Sequence, residues 1–268
     1  MMATGRNRVP GRRNAGPARR SKDKAPRQPG GSTDGFRLNR YIARSGVCSR
    51  RQADDLIRQG HIRVNDRVVT EMGYRVTKGD KVYYKDRLLT GEKLVYLLLN
   101  KPRDFITTTD DPRNRKTVMH LVQRACDERL YPVGRLDRNT TGLLMLTNDG
   151  DLSRKLTHPS QNVKKVYQVE LNKPLAPADL HAVREGLPLE DGPATVDDIQ
   201  VLPGTGQAVG LEIHSGKNRI VRRIFEHLGY EVTRLDRVAF AGITKKNLPR
   251  GKWRHLTGQE VIRLKNFM

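Results

Sequence analysis

A single carboxylate, Asp137, lies in the short polar stretch VGRLDRNTTG, with Arg135 and Arg138 close on either side. Opposite charges nearby favour the ionised form of a carboxyl group, and an ionised carboxylate can act as a nucleophile or a general base. A loop held between two strands is a common setting for such a group. An aspartate in a turn is also often a capping residue or a surface salt-bridge partner, so this stretch alone leaves both interpretations open.

Apolar runs on both sides of this stretch predict the strands that hold it. LVYLLL precedes it as a continuous apolar run of strand length, which predicts a strand buried on both faces, and LLMLTN follows it as the next buried strand. Later strand-like runs (YQVEL, GLEIHS, EVTRLDRVAF) alternate with helical stretches (APADLHAVREGL, NRIVRRIFEHLG). The pattern predicts a mixed α/β domain from about Lys93 to the C-terminus.

A smaller module precedes that domain, at residues 36–90. FRLNRYIARSG and CSRRQADDLIRQG have the apolar spacing of two helices, and Ser49 with Gln52 has the form of a capping box at the start of the second. HIRVNDRVV and KVYYK then alternate as short strands around a turn at Asn65 and Asp66. The order predicts a compact αα-then-β module.

Arginines crowd the two predicted helices, with only Asp54 and Asp55 to balance them. Arg50 and Arg51 lie in the first turn of the second helix, where the macrodipole disfavours positive charge by ~0.3–1 kcal/mol each. A phosphate ligand would supply the missing anion. The alternative is a solvated face whose arginines pair with the two aspartates. The imbalance favours phosphate binding by the arginines of this module, namely Arg37, Arg40, Arg44, Arg50, Arg51 and Arg58.

The 268 residues carry a net charge of +22, from 51 basic and 29 acidic side chains, which indicates a polyanionic partner. Residues 1–34 contribute +7 and contain five Gly, four Pro and no aromatic residue. This composition predicts a disordered basic arm that either contacts phosphates or is a solvated tail without a role. Mitochondrial import is a weaker third interpretation, because Gly and Pro interrupt any amphipathic helix.

Several classes of protein are disfavoured by the sequence. No apolar stretch approaches the ~18 residues of a membrane span, and the N-terminus lacks the apolar core of a secretory signal. Cys48 and Cys126 have neither disulfide-framework nor zinc-site spacing, and the sequence has no P-loop and no dinucleotide fingerprint. We therefore expect a cytoplasmic protein that uses no metal and no cofactor.

The stretch around Asp137, GRLDRNTTGLLMLTNDGDL, resembles the signature of the RsuA and RluB type of ribosomal RNA pseudouridine synthases. LLLNKPRDFITTTDDPRNRKTV, KKVYQVEL and GKNRIVRRIFEHLGYEVTRLDRVAFAGI are similar, in order and spacing, to the other motifs of that family. RLNRYIARSGVCSRRQADDLIRQGHIRVND resembles the small RNA-binding domain of ribosomal protein S4. The resemblance spans about residues 36–262. It implies an α+β, mixed α/β fold, in which a small αα-β RNA-binding domain precedes a pseudouridine synthase catalytic domain, residues 93–268, on a mixed and largely antiparallel sheet.

The resemblance also implies the roles of the site residues. Asp137 would be the catalytic residue, and the ring of Tyr167 would stack on a flipped target base. Arg222 would pair with the Asp137 carboxylate and keep it charged in a low-dielectric pocket. Arg135 and Arg138 would contact substrate phosphates. Without the resemblance, Tyr167 would be a core residue of a strand, and NRIVRRIFEHLG an amphipathic helix with solvated arginines.

The implied activity is the isomerisation of a uridine to pseudouridine in ribosomal RNA, with large-subunit RNA favoured, by a monomer without a cofactor. Asp137 would attack C1′, attack C6 or remove a ribose proton; the sequence leaves the three open. One competing hypothesis is a non-catalytic RNA-binding or ribosome-assembly factor that retained the fold. Another is a hydrolase in which Asp137 works with a second carboxylate, for which the motif offers Asp149 and Asp151.

The sequence departs from the family pattern at three positions. Asp104 stands where the family usually has glycine, Ile220 where a Gln or Glu commonly precedes the RR pair, and His120 where an acid is frequent. None of the three replaces a residue to which the resemblance assigns catalysis. Asp104 at the glycine position affects the expected backbone conformation of its loop. Ile220 at the Gln or Glu position removes a hydrogen bond expected behind the site.

Overall fold

A computed structural model describes Met1 and residues 35–266 of the chain. The basic arm predicted for residues 1–34 lies, apart from Met1, outside the described residues. One hydrophobic cluster is drawn wholly from residues 38–89, and two others begin at Val95 and Tyr96. The hydrophobic core is therefore divided near residue 90.

The small domain begins with two short helices, α1 (Leu38–Arg44) and α2 (Arg50–Arg58). Ser49 caps α2: Gln52 N donates to the Ser49 hydroxyl at 3.3 Å, and Ser49 N donates to the Gln52 side chain at 2.9 Å. The predicted capping box is thus confirmed. The apolar faces of the two helices meet in one core, which buries Leu38, Ile42, Ala53 and Ile57.

Short strands complete the small domain: β1 (Phe36–Arg37), β2 (Ile62–Val64), β3 (Arg67–Val68), β4 (Arg75–Val76), β5 (Val82–Tyr84) and β6 (Arg87–Leu88). β1 pairs with β4, and the others form an antiparallel sheet in the order β3-β2-β5-β6. Asn65 takes a φ of 53° between β2 and β3, a conformation that asparagine tolerates better than most residues. The predicted αα-then-β order is confirmed.

The larger domain contains the strands β7 (Tyr96–Lys101), β8 (Tyr131–Pro132), β9 (Thr141–Thr147), β10 (Lys165–Leu171), β11 (Leu187–Leu189), β12 (Gly192–Ala194), β13 (Asp198–Val201), β14 (Ala208–Ile213), β15 (Val232–Phe240), β16 (Ile243–Thr244) and β17 (Trp253–His255). Seven of them follow the order β13-β14-β10-β15-β9-β7-β17, while β8 and β16 pair with β9 and β15. β9 and β15 run parallel, and the other pairs of this sheet are antiparallel. The prediction of a mixed, largely antiparallel sheet is confirmed.

The helices of this domain are α3 (Val118–Val122), α4 (Gly150–Thr157), α5 (Pro177–Glu185), α6 (Ile220–His227) and α7 (Gly258–Lys265), with a 3-10 turn at Pro159–Gln161. α5 and α6 fall on the two stretches for which helices were predicted. Among the described residues, no helix has both the length and the apolar character needed to cross a membrane.

Helices cover both faces of the central sheet. β7 and β9 are buried along their whole length. Leu97 and Leu99 pack in the cluster that contains residues of α5 and α6, whereas Leu98 packs on the opposite face with residues of α4 and α7. A strand covered on both faces requires apolar side chains at successive positions, which explains the unbroken run LVYLLL.

Gly142 marks the close approach of β9 to β15. It has a φ of +103°, and a Cβ built on it would lie 2.3 Å from the carbonyl oxygen and 2.6 Å from the nitrogen of Arg237. Both of these atoms belong to the backbone. A backbone cannot move aside as the end of a flexible side chain can. The parallel β9-β15 pair, which joins the two halves of the sheet, therefore requires glycine at this position.

Gly142→Ala is expected to lower the free energy of unfolding by more than ~2 kcal/mol, because it adds positive-φ strain to a backbone clash. Urea unfolding followed by circular dichroism measures the change. Gly210→Ala is the matched control, since its Cβ would lie 3.5 Å from the nearest atom, a Leu202 methyl group, without positive φ. Equal stability of the two variants would contradict the packing argument.

Candidate active site

The loop that carries Asp137 is shaped by a buried ammonium group at the end of β7. Lys101 is fully buried, and its Nζ donates to the carbonyl oxygens of Asp137 at 3.0 Å, Arg138 at 3.2 Å and Thr140 at 2.8 Å. A fourth bond, of 3.1 Å, goes to Pro102. Burial lowers the pKa of Lys101 to about 8, against the opposing effect of nearby carboxylates. The ammonium thus replaces its lost hydration with carbonyls that converge from the loop.

A second set of bonds fixes the same loop from the segment after β7. The Thr107 hydroxyl donates to the carbonyl of Leu136 at 2.8 Å, and Leu136 N donates back to it at 3.3 Å. Asp104 N donates to the carbonyl of Arg138 at 3.0 Å. Asp104 has a φ of +68°, which explains why glycine is usual here and why aspartate is tolerated.

The structure also shows the environments of the other two departures from the family pattern, His120 and Ile220. His120 takes the third position of α3, where Thr117 N donates to its Nδ1 at 3.1 Å, so the imidazole performs the capping task of an acid. Ile220 is buried at the start of α6 and lines the cleft described next. An apolar side chain there closes the cleft wall and offers no hydrogen bond.

Asp137 lines a cleft of about 680 Å³ formed by its loop, β10, β15 and the start of α6. The residue is half-buried, and its carboxylate makes no hydrogen bond or salt bridge within residues 35–266. Its backbone carbonyl, in contrast, is held by Lys101 and by Thr140 N at 3.1 Å. The arrangement fixes the main chain and leaves the carboxylate available to a ligand in the cleft. The same residues hold no group of three or more His, Cys, Asp or Glu side chains suited to a metal ion.

Tyr167 and Arg237 are cross-strand neighbours on β10 and β15, and both line the cleft. Tyr167 is 9% exposed, and no hydrogen bond of the described residues uses its hydroxyl. Lys165 lies on the same face of β10, and its Nζ donates to the carbonyls of Val163 at 2.8 Å and His214 at 2.5 Å. Burial and the neighbouring Arg237 lower the pKa of Lys165 to about 8. The floor of the cleft is thus one aromatic ring between basic groups.

Arg237 was not singled out from the sequence. Only 3% of it is exposed; its Nε donates to the carbonyl of Leu143 at 2.8 Å, and its guanidinium lies 4.7 Å from the centre of the Phe240 ring. Its Nη2 is buried without a hydrogen-bond partner among the described residues. The sequence did contain a sign of this role. In EVTRLDRVAF, the charged Arg237 follows the buried Leu235 by two residues and so lies on the same, inward face of the strand.

The predicted ion pair between Arg222 and Asp137 is not formed among the described residues. Nη1 of Arg222 donates to the carbonyl of Val232 at 2.9 Å, and no salt bridge of residues 35–266 joins the two side chains. Burial and Arg219 lower the pKa of Arg222, while the charge of Asp137 acts in the opposite direction. Arg222 therefore lies in the electric field of Asp137 but is anchored to the first residue of β15.

α6 is fixed against the β11-β12 hairpin by charged groups. Arg223 binds the Asp191 carboxylate with two hydrogen bonds of 2.5 and 3.0 Å, which lower the pKa of Asp191 to about 2. Lys217 Nζ donates to the carbonyls of Asp191 at 2.9 Å and Gly192 at 3.1 Å. Of the RR pair, Arg223 therefore holds α6 to the hairpin, whereas Arg222 is bonded to Val232 of β15.

The arginines predicted to bind RNA fall into two groups. Some already contact an acid: Arg40 contacts Asp151, Arg58 contacts Asp55 at 2.7 Å, and Arg138 contacts Asp104 at 3.2 Å. The others are exposed and make no salt bridge within residues 35–266, namely Arg37, Arg50, Arg51 and Arg135. Asp54 accepts a hydrogen bond from Asn39 at 2.9 Å and pairs with no arginine there. The alternative of a face neutralised by Asp54 and Asp55 thus explains Arg58 alone.

A carboxylate held open in a cleft beside an aromatic ring, on a domain joined to an arginine-rich helical module, is an arrangement suited to an enzyme that acts on RNA. Comparison with known proteins agrees. Residues 95–227 match the RNA pseudouridylate synthase family, and residues 36–82 match the S4 domain.

Individual relatives extend the match to most of the chain. It is 39% identical over 234 residues to the ribosomal large subunit pseudouridine synthase B of Bacillus subtilis, which covers 85% of this chain and 95% of the relative. Identity with the dual-specificity RNA pseudouridine synthase RluF of Salmonella typhi is 36%, covering 85% and 78%. A crystal structure of a pseudouridylate synthase superimposes with a TM-score of 0.62 at 31% identity, covering 85% and 99%. The chain belongs to the RNA pseudouridine synthase family, in its RsuA/RluB-type branch with an S4 domain.

Lys101→Met is expected to destabilise the fold by ~1–3 kcal/mol, because it leaves buried carbonyl groups without a donor, and to lower turnover because the Asp137 loop loses its anchor. Unfolding by urea and the rate of RNA modification are the two measurements. Lys246→Met, at an exposed lysine, is the control. An unchanged turnover in Lys101→Met would contradict the anchoring role.

Proposed function

We propose that the protein converts a specific uridine of large-subunit ribosomal RNA to pseudouridine, with Asp137 as the catalytic residue. The observation that carries this proposal is the Asp137 carboxylate, which has no partner within residues 35–266 and lies on an anchored loop in a cleft beside Tyr167. The substrate class follows from the relative in Bacillus subtilis, which is named for the large ribosomal subunit.

The reaction is an isomerisation in which nothing is oxidised or reduced. The bond from C1′ of the ribose to N1 of uracil breaks, the freed base turns in the cleft, and C5 forms the new bond to C1′. C5 loses its proton and N1 gains one, so the atoms of substrate and product are the same. The protein therefore has to hold the base while it turns and stabilise the charge that develops as the bond breaks.

Asp137 is the proposed catalytic residue. Attack on C1′, attack on C6 and removal of a ribose proton all need an ionised carboxylate that faces the sugar and the base. Tyr167 is the proposed stacking platform. Arg222 is proposed to act on Asp137 through its charge, without direct contact, since its hydrogen bond goes to Val232.

The small domain, proposed to span residues 36–90, supplies RNA affinity, and residues 93–268 supply catalysis. Ribosomal RNA as substrate supports a cytoplasmic location, and we propose that the protein acts there as a monomer. Phosphate contacts are proposed for the arginines predicted from the sequence, which are Arg37, Arg40, Arg50, Arg51, Arg58, Arg135 and Arg138. Such contacts position the RNA and do not identify the target base.

The two competing functions fit the site less well. A hydrolase needs a second carboxylate near Asp137, but Asp149 caps α4 and accepts from Tyr96 at 2.8 Å, and Asp151 pairs with Arg40. A ribosome-assembly factor without activity would have no use for an open carboxylate on a loop held by a buried lysine.

Asp137→Asn is expected to abolish pseudouridine formation and to leave RNA affinity nearly unchanged, because the amide is similar in shape but cannot be ionised. Site-resolved pseudouridine mapping of ribosomal RNA from cells that carry the variant measures the first, and a filter-binding assay the second. Asp110→Asn, at an exposed aspartate outside the cleft lining, is the control. Turnover that survives in Asp137→Asn would overturn the assignment.

Tyr167→Phe is expected to keep most of the binding of the target base, and Tyr167→Leu to lose ~1–3 kcal/mol. Stacking needs the ring, and the hydroxyl makes no hydrogen bond in the part of the chain that the structure describes. Steady-state kinetics with an RNA fragment that contains the target site separates the two variants. If both variants behaved alike, stacking would not be the role of Tyr167.

A further inference from the structure

A second cavity lies between the two domains and plays no part in the chemistry described above. This interdomain groove, of about 500 Å³, is lined by α1 and α2 of the small domain and by the segment 129–131 and α4 of the larger one. Five arginines line it, against one carboxylate, Asp151; they are Arg40, Arg44 and Arg50 from the small domain and Arg129 and Arg154 from the larger domain. Neither Arg129 nor Arg154 was singled out from the sequence.

Asp151 does not neutralise the interdomain groove. Its carboxylate contacts Arg40 and lies 3.9 Å from Arg44 and 3.8 Å from Arg154, so one negative charge is shared among three guanidinium groups. Side chains of Arg44 and Arg154 remain 45% and 72% exposed. Arg50 and Arg129 are also exposed and make no salt bridge within residues 35–266. The interdomain groove therefore presents an excess of positive charge to solvent, which favours the binding of an anion.

The interdomain groove adjoins the cleft that holds Asp137. Thr157, the last residue of α4, lines both cavities. Ser153 and Arg154 of the same helix face the interdomain groove, while Leu156 faces the cleft. A chain of anionic groups bound along one side of α4 would therefore lead directly to the catalytic cleft.

We infer that the interdomain groove binds the phosphate backbone of the substrate RNA beside the target uridine, with arginines of both domains on one strand. The inference rests on the proposed function for the identity of the ligand and on the charge of the groove for its chemistry. Guanidinium groups bind phosphate oxygens bidentately. Phosphate oxygens of the RNA would replace Asp151 as the partners of Arg40 and Arg44, so that RNA binding exchanges a contact between the domains for contacts to the ligand.

The test compares two double variants that each remove two positive charges from exposed positions. Arg129→Gln with Arg154→Gln changes the groove, and Arg124→Gln with Arg263→Gln changes positions outside every cavity described here. The probe is a ribosomal RNA fragment that contains the target uridine, titrated at several salt concentrations. Groove variants should bind roughly tenfold more weakly, with a slope of log K against log salt reduced by about 2, and the control pair much less.

Two further measurements make the result specific. Arg129→Lys with Arg154→Lys should restore most of the salt slope, because lysine keeps the charge, and the KM for the RNA fragment should rise in the glutamine pair. Equal loss of affinity in the groove and control pairs would overturn the inference, as would lost turnover with unchanged affinity. Absence of any pseudouridine product with the unaltered protein would contradict the proposed function instead, and the binding comparison would still test the groove.

Discussion

The active-site loop depends on the burial of one ammonium group. Lys101 ends a central strand and is fully buried, so it can stay charged only if acceptors replace water. The acceptors are main-chain carbonyls, three of them from residues 137–140 and a fourth from Pro102. Because those carbonyls turn inward to reach Nζ, the loop has a fixed shape, and the Asp137 side chain is directed to the cleft. The same bonds join β7 to the residues that lead into β9.

The register of the sheet places the rest of the site around this loop. β9 lies beside β15, and β15 beside β10, so the loop that enters β9 faces the strand pair that carries Arg237 and Tyr167. Side chains alternate between the faces of a strand, and a slip of one residue would turn Tyr167 out of the cleft. Gly142 maintains this register, because only glycine allows the two backbones to approach so closely. The anchored loop and the glycine contact are thus two parts of one arrangement.

Much of the fold could be predicted from the sequence, because local signals decide it. The capping box at Ser49 and the strand β7, which is buried on both faces, are each determined by residues close together in the sequence. The roles of Lys101 and Arg237 could not be predicted in this way, since a charged residue at a strand end or among alternating residues acquires a partner only through sheet order. The bond that Arg222 makes could not be predicted for a related reason: a guanidinium has several possible acceptors, and the nearby carbonyl of Val232 accepts from it here.

The excess of arginines in the small domain is only partly balanced by the larger domain. The crowding of arginines on α1 and α2 indicated a missing anion, and the structure supplies part of it from the other domain, as Asp151 beside Arg40 and Arg44. One carboxylate on the surface of α4 cannot balance both of these and Arg154 as well. Arg50 gains no acid from either domain within residues 35–266. The contact between the domains thus brings more positive charge together than it neutralises, which is the electrostatic condition for holding a polyanion at this junction.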